Sequence, residues 1–378
     1  MASHQLDSPI LNFSVALYKQ LISQGAQCGN VVYSPMSIAA ALSMALAGAR
    51  GKTAAELSAV LQALGGDSLC RHLHGFFCKY ASLVDDVKVH SVNQIYCEHS
   101  FPVLGSYRSL LWNNYGVEIE SVDFRTDCET VRQRINTWIE EVTESNIDGY
   151  LYPGSLDTLT TMVIVNAVHI KGFWESQFSP RNTIRCRFRG TMGIKEVQMM
   201  NRLGEYKTAS CDDLNVRAVE IPYRGGYSSM VVIVPKDSGG LLALEKRLTG
   251  PKLAQLLQNL SILSTVLLYL PKFKLEKSFD FKAALQGINI KDLFTPEADL
   301  SGICETANLF LTDLFHKSIL EVNEEGVEDH PAYTMSLLLK NATILNLSCK
   351  FVVDQPFIFL VRIVQPNVVL CMGSVRDL

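Results

Sequence analysis

The chain has 378 residues, 48% hydrophobic and 19% charged, and 34 basic residues against 38 acidic ones give a net charge of −4. This composition is typical of a globular protein with a sizeable core, and it excludes disordered and collagen-like chains. No run of Lys or Arg is longer than a pair, so the charge pattern of a nucleic-acid-binding protein is missing. The longest apolar stretches, 230–234 and 263–270, are far shorter than the roughly 20 residues of a transmembrane helix, so we expect no membrane insertion.

Hydrophobic periodicity predicts helices early in the chain and strands later. Apolar residues recur at spacings of three and four over 10–22, which predicts an amphipathic helix. Ser34 and Pro35 supply the cap and first-turn proline of a largely apolar helix that should be buried. Further helices are expected at 53–64, 69–83 and 129–145, and strands at 87–96, 162–168, 229–234, 265–270, 357–361 and 368–372. Helices early and strands late, without regular βαβ alternation, indicate one α+β domain with more than one sheet.

The sequence gives only weak indications of where the protein is located. The first residues lack the basic start and apolar block of a signal peptide, so the protein is either intracellular or secreted with its signal absent from this sequence. Four Asn-x-Ser/Thr triplets could carry glycans in a secreted protein, at Asn12, Asn259, Asn341 and Asn346. About two such triplets arise by chance in a chain of this composition. We expect an extracellular location.

The chain lacks the residue patterns of common catalytic and nucleotide sites. The Arg-Gly-Lys-Thr sequence at 50–53 resembles the end of a phosphate-binding loop, but Leu46 stands where that loop needs a glycine. Cys70, His74 and Cys78 have helical spacing, which is more typical of a core-facing helix edge than of a zinc site. No hydrolase or zinc-protease signature occurs. We therefore expect no enzyme activity, no metal and no cofactor.

A series of ordered motifs resembles a known family. The sequence Phe-Val-Val-Asp-Gln-Pro-Phe-Ile-Phe-Leu at 351–360 is similar to the signature of the serpins, the serine protease inhibitor family. Further serpin-like segments occur in order at 30–38, 47–53, 165–174, 221–223, 270–273 and 316–326. Because these segments span nearly the whole chain, the resemblance implies a single serpin domain over 1–378. Its α+β fold would have three β-sheets, about nine helices and an exposed reactive-centre loop at about 326–350.

The resemblance also implies a mechanism and roles for particular residues. A protease attacks the loop of a metastable fold, and the cut loop inserts as a new strand into the large sheet, carrying the acylated protease with it. Trp174 would mark the point where the loop first enters, and Glu324 before the hinge would pair with Lys272. Four residues match the family's polar shutter cluster beneath the sheet: Ser34, Ser37, Asn166 and His316. Without the resemblance, the two serines would be interpreted as helix-capping residues and the histidine as a core residue.

Family spacing implies the position of the bait bond. The residue before the cleaved bond follows the hinge glutamate by sixteen positions, which gives the bond Lys340-Asn341. A lysine suits trypsin-like proteases, whose specificity pocket carries a carboxylate. The loop is about two residues longer than in common serpins, so Leu339 is the alternative and would favour a chymotrypsin-like or elastase-like protease.

The hinge departs from the family pattern. Inhibitory serpins have small residues here, whereas Gly326 and Val327 are followed by Asp329 and Pro331. On an inserted strand, Val327, Asp329, Pro331 and Tyr333 would share one face, and the resemblance implies that this face turns toward the core. Burying a carboxylate costs a few kcal/mol, and proline cannot donate to a strand ladder. The sequence therefore favours a weak or non-inhibitory serpin that serves as a protease substrate or binding protein; the alternative is a working suicide inhibitor of trypsin-like serine proteases.

The expected partner is a trypsin-like serine protease, either as target or as the enzyme that cleaves the loop. The predicted helix at 69–83 contains only Arg71 and Lys79 as basic residues, and sulfated polymers need several clustered cations. We therefore expect no strong heparin binding. Nucleic acid and membrane are not expected as partners, and the chain is expected to be a monomer.

Overall fold

The computed structural model describes residues 7–25, 29–62, 87–143, 147–306, 308–326, 349–365 and 367–378. The described residues form eight α-helices: α1 (Asp7–Ser23), α2 (Pro35–Gly48), α3 (Gly51–Gln62), α4 (Gly105–Tyr115), α5 (Phe124–Val142), α6 (Leu241–Arg247), α7 (Gly250–Gln258) and α8 (Lys282–Gly287). No described helix combines the length and apolar character needed to cross a membrane. The first seven strands are β1 (Val31–Tyr33), β2 (Val87–Glu98), β3 (Ile119–Val122), β4 (Met162–Gly172), β5 (Ile184–Gly190), β6 (Gly193–Cys211) and β7 (Val216–Pro222). The other seven are β8 (Ser228–Pro235), β9 (Ile262–Pro271), β10 (Phe273–Asp280), β11 (Asp313–Val322), β12 (Cys349–Val352), β13 (Phe357–Ile363) and β14 (Val368–Val375).

A five-stranded sheet has the order β10-β11-β4-β2-β3. Its central pair, β4 and β11, is parallel and directly hydrogen-bonded, in a register that runs from Val163 opposite Asp313 to Lys171 opposite Glu321. One face packs on the main core, and the other is covered by α5, whose Ile135 contributes to a second apolar cluster. Burial on both faces explains the nearly continuous apolar sequence of β4.

The remaining strands form a nine-stranded sheet that is joined through β6. This 19-residue strand pairs with β5 at its start, with β9 along its middle and with β7 at its end. Because β6 pairs with different strands at its two ends, all nine of these strands are hydrogen-bonded into one sheet. The described residues therefore contain two hydrogen-bonded sheets, where the resemblance implied three. The predicted α+β class with several sheets and many helices is confirmed.

Helix α2 places the start of the predicted polar cluster beneath the five-stranded sheet. Ser34 is its N-cap and accepts a hydrogen bond from the Ser37 backbone N–H, and Pro35 occupies the first turn, as predicted. The helix is almost entirely buried and packs against both β4 and β14. Its N-terminus is therefore fixed under the seam between β4 and β11.

Several boundaries differ from the sequence-based predictions. Helix α5 begins at Phe124, capped by Asp123, although its regular periodicity starts only after a non-helical residue at Asp127. This kink explains why the pattern predicted a start near residue 129. Helix α4 was not predicted because its three buried residues are few among exposed polar ones. The predicted helix at 69–83, with Cys70, His74 and Cys78, lies outside the described residues.

Candidate functional site

The four residues of the predicted shutter cluster meet at the seam between β4 and β11. Asn166 and His316 are opposite each other in the strand register, and His316 Nδ1 is hydrogen-bonded to Asn166 Oδ1 across the seam. The Asn166 amide donates to Ser37 Oγ at 2.5 Å, and the Ser34 backbone N–H donates to His316 Nε2 at 3.0 Å. These bonds connect both strands to the start of α2.

The hydrogen bonds of His316 define its protonation state. Nε2 accepts from the Ser34 N–H and lies 2.5 Å from Ser318 Oγ, so the ring proton is on Nδ1 and is donated to Asn166. Burial lowers the pKa of His316 to about 3. A proton on Nε2 would face the Ser34 N–H. The closed seam therefore requires a neutral imidazole.

Tyr150 connects the same two strands from the face covered by α5. Its hydroxyl accepts from the backbone N–H of Asn166 at 2.9 Å and lies 2.7 Å from the carbonyl oxygen of Phe315 on β11. Burial raises the pKa of Tyr150 well above its ordinary value, so the hydroxyl keeps its proton, which it can donate to that carbonyl or to the carbonyl oxygen of Asn166 at 2.9 Å. When it donates to Phe315, the hydroxyl relays a hydrogen bond from β4 to β11. Separation of the strands at this level breaks the relay as well as the His316–Asn166 bond.

Trp174 lies beyond the end of β4, against the residues that follow β11. Its ring is 1% exposed and stacks on Tyr223 with 4.7 Å between centroids. Trp174 Nε1 donates to the carbonyl oxygen of Asn323 at 2.7 Å. The backbone N–H of Trp174 donates to the carbonyl oxygen of Glu325 at 3.0 Å. Trp174 therefore holds the segment immediately before the hinge.

Both carboxylate oxygens of Glu324 are bound. Lys272 Nζ lies 2.7 Å from Oε2, and Thr183 Oγ1 donates to Oε1 at 3.0 Å. Burial raises the pKa of Glu324, but the hydrogen bonds from Lys272 and Thr183 outweigh it and leave the pKa below its ordinary value. Lys272 is half-exposed, so we expect the ion pair to contribute about 1 kcal/mol or less.

Gly326 is the last described residue before the loop, and its position requires a glycine. It forms an isolated parallel bridge with Trp174. A Cβ at Gly326 would lie 2.7 Å from the carbonyl oxygen of Trp174, which is closer than real Cβ contacts. Any larger residue would push the chain away from Trp174.

The remaining predicted site residues are divided between described and undescribed parts of the chain. Asn12 and Asn259 are both exposed. Ser14, in the triplet of Asn12, is buried and donates to the Ile10 carbonyl, whereas Ser261, in the triplet of Asn259, is exposed. Asn259 is therefore the more accessible glycosylation site of the two. Seven predicted residues lie within 327–348, outside the described residues: Val327, Asp329, Pro331, Leu339, Lys340, Asn341 and Asn346.

Three further contacts of the site were not predicted from the sequence. Tyr150 and Thr183 reach their partners from segments distant in sequence, and no local spacing indicates such contacts. The contact of Ser318 with His316 could have been predicted, because Ser318 lies two residues after His316 on the same strand and therefore on the same face.

Comparisons with known proteins agree with this geometry. A family model described as "Serpin (serine protease inhibitor)" matches residues 9–378. The chain is 46% identical over 375 residues to "Iris" of Ixodes ricinus, covering 99% of both chains. It is 33% identical over 383 residues to "Leukocyte elastase inhibitor A" of Mus musculus, covering 98% of this chain and 99% of the relative. The crystal structure of uncleaved ovalbumin is similar with a TM-score of 0.90 at 27% identity, covering 99% of this chain and 100% of the other.

The chain belongs to the serpin family. The predicted resemblance and fold are thereby confirmed. Serpins are protease inhibitors and not catalytic enzymes, so the prediction that the chain is no enzyme is confirmed as well.

Proposed function

We propose that this serpin presents Lys340-Asn341 to trypsin-like serine proteases and inserts its cut loop too slowly to trap most of them. It would then act mainly as a protease substrate or binding protein. The observation that carries this proposal is the apolar inward face of the β4–β11 seam, into which the loop must insert.

Among the described residues, the inward face of the seam offers no partner for a charge at the end where the loop would enter. Ile170 and Leu320 face each other across it, and both are at most 1% exposed within the main core. One level further in lie Val168 and Ser318, which are also buried. The first level is therefore apolar, and the polar cluster begins only with Ser318 and His316.

An inserted loop strand would run antiparallel to β11, starting opposite Val322. It would therefore reach the apolar level of Leu320 first and the level of Ser318 second. Asp329 would come level with Leu320, where a buried carboxylate without a partner costs a few kcal/mol. Pro331 would come level with Ser318, where it lacks the N–H needed for the ladder. Both departures from the family hinge would therefore raise the barrier to insertion.

The size of the barrier decides between trapping and simple cleavage. Each 1.4 kcal/mol added to the insertion barrier slows insertion about tenfold relative to hydrolysis of the acyl-enzyme. A penalty of about 3 kcal/mol slows it about a hundredfold. Most encounters would then release active protease and a cut serpin.

A working suicide inhibitor is the second candidate function. It is supported by mouse, cattle and horse relatives named leukocyte elastase inhibitor, which are 33–34% identical to this chain. It is also supported by the direct pairing of β4 with β11, which leaves the described sheet ready to accept a strand. An elastase target would agree with Leu339 as the residue before the cleaved bond.

Reaction with trypsin tests the proposal. We expect cleavage to start a new fragment at Asn341, with little complex that survives a denaturing gel. D329A/P331A should raise the complex fraction and the melting temperature of the cleaved form, whereas E328A/H330A, on the opposite face, should not. Efficient complex formation by the unmodified protein would contradict the proposal. In a parallel reaction with an elastase, a covalent complex and a fragment that starts at Lys340 would assign the bait bond to Leu339.

We also propose that the chain is one serpin domain that acts outside the cell as a monomer. The exposed triplet at Asn259 supports secretion, because glycan addition requires passage through the secretory pathway. Expression in a secreting cell should give a mass shift that enzymatic deglycosylation removes and that Asn259→Gln reduces. An unglycosylated secreted product would contradict this part of the proposal.

A further inference from the structure

The hairpin of β5 and β6 concentrates positive charge in a chain that is acidic overall. Between residues 181 and 202, Glu196 is the single acidic residue. The remaining residues therefore carry a more negative net charge than the chain as a whole. The basic residues are too dispersed in sequence to form a run. They are Arg181, Arg185, Arg187, Arg189, Lys195 and Arg202.

Strand β5 places three of these arginines in one row. Side chains alternate along a strand, so Arg185, Arg187 and Arg189 lie on the same face, about 7 Å apart, and all three are exposed. Phe188 on the other face is 1% exposed and packs into the core. Arg189 forms an ion pair of 2.7 Å with Asp354. Glu196 is opposite Arg187 in the hairpin register, although no described residue lies within ion-pair distance of Arg185 or Arg187.

The row is bordered by exposed aliphatic side chains. Ile194 is opposite Arg189 in the hairpin register and 63% exposed, and Met192 in the turn is 80% exposed. Arginine beside Met and other apolar side chains is typical of protein–protein interfaces. A sulfated polymer instead needs several clustered cations without acidic neighbours, whereas Arg187 lies opposite Glu196 and Arg189 is paired with Asp354. The surface therefore fits a protein with an acidic, partly apolar face.

The start of the row adjoins the residues that precede the reactive loop. Thr183 lies two residues before Arg185 and contacts Glu324 with its hydroxyl. We propose that the outward face of the β5–β6 hairpin is an exosite for the protease, binding an acidic surface patch of the enzyme while its active site engages the loop. This inference rests on the proposed function, since it requires that a serine protease attack the loop. Complementary charge beside a binding site mainly raises the association rate and makes it sensitive to salt.

Two trypsin isoforms, one anionic and one cationic, make a suitable pair of probes because both cleave after Lys. We expect R185A/R187A to lower the second-order rate of reaction with anionic trypsin about tenfold at low salt, and to change it little at high salt. The rate with cationic trypsin should not fall. R125A/R247A is the matched control, since it removes two exposed arginines from α5 and α6. Equal effects of the two double variants on anionic trypsin would overturn the proposal.

Direct binding separates this inference from the proposed function. Anionic trypsin with its catalytic serine replaced by alanine cannot cut the loop, so its affinity reports docking alone. We expect R185A/R187A to weaken this binding and R125A/R247A to leave it unchanged, whether or not active trypsin cuts at Lys340 or is trapped. Equal affinities would overturn the exosite. Heparin binding that depends on Arg185 and Arg187, with unchanged trypsin rates, would assign the surface to a polyanion and also overturn it.

Discussion

The Tyr150 hydroxyl accepts a hydrogen bond from the backbone N–H of Asn166 at 2.9 Å. On the other side of the sheet, the Asn166 side chain is bonded to His316 and Ser37. The seam that must open for loop insertion is therefore closed from both faces at one level. The cost of opening is concentrated there, because both sets of buried groups lose their partners together.

Removal of the Tyr150 hydroxyl should make the seam easier to open. Tyr150→Phe leaves the buried Asn166 N–H without the relay, so we expect a loss of about 1–3 kcal/mol in the free energy of unfolding. We also expect faster uptake of a synthetic peptide with the sequence of residues 327–339, measured on a native gel. Tyr152→Phe is the matched control because Tyr152 is 65% exposed. Unchanged peptide uptake by Tyr150→Phe would show that the relay does not hold the seam.

Acid should destabilise the native form through His316. The unfolded histidine takes up a proton near its ordinary pKa of about 6.5, whereas burial keeps the folded group neutral to about 3. The unfolded state therefore binds more protons in this window, and stability falls as the pH falls, by about 1.4 kcal/mol per pH unit from this group. His316→Gln should have a lower stability at neutral pH but a flatter pH dependence than the parent, measured by chemical denaturation. Parallel pH curves would contradict this assignment.

Asp313 should act in the opposite direction. Burial is the main cause that raises the pKa of Asp313 to about 7, and the negative charge of Asp280 adds to it. The folded state therefore holds a proton that the unfolded state lacks between about 3.8 and 7, so stability from this group is lost progressively as the pH rises across that range and stays lost above about 7. Asp313→Asn should stabilise the native form by about 1–2 kcal/mol at about pH 8 and have little effect at about pH 4. A stabilisation that is equal at both pH values would contradict the raised pKa.

The sequence predicted the elements whose signals are local. The Ser34-Pro35 start of α2 and the apolar run of β4 were predicted because a cap, a proline and uninterrupted burial are visible within a few residues. The resemblance brought Asn166 and His316 into one cluster, and their contact follows from the parallel register of β4 and β11. Tyr150 and Thr183 could not be predicted, because their partners are set by tertiary packing. The arginine row was missed because β5 places its basic residues at alternate positions, so no run appears in sequence.

Gly326→Ala should disturb the contact between the hinge and Trp174. The added Cβ would lie 2.7 Å from the Trp174 carbonyl oxygen and 2.9 Å from its Cβ, so the chain must move away from the ring. Trp174 is 1% exposed, whereas Trp112 is 59% exposed, so movement at Trp174 should add a red-shifted component to the emission of the native protein. We expect a loss of about 1–3 kcal/mol in stability and faster proteolysis of the loop. Gly105→Ala is the matched control, since a Cβ there meets no atom within 4 Å, and it should leave emission and proteolysis unchanged. Identical emission spectra for Gly326→Ala and the parent would show that the hinge tolerates a side chain at this position.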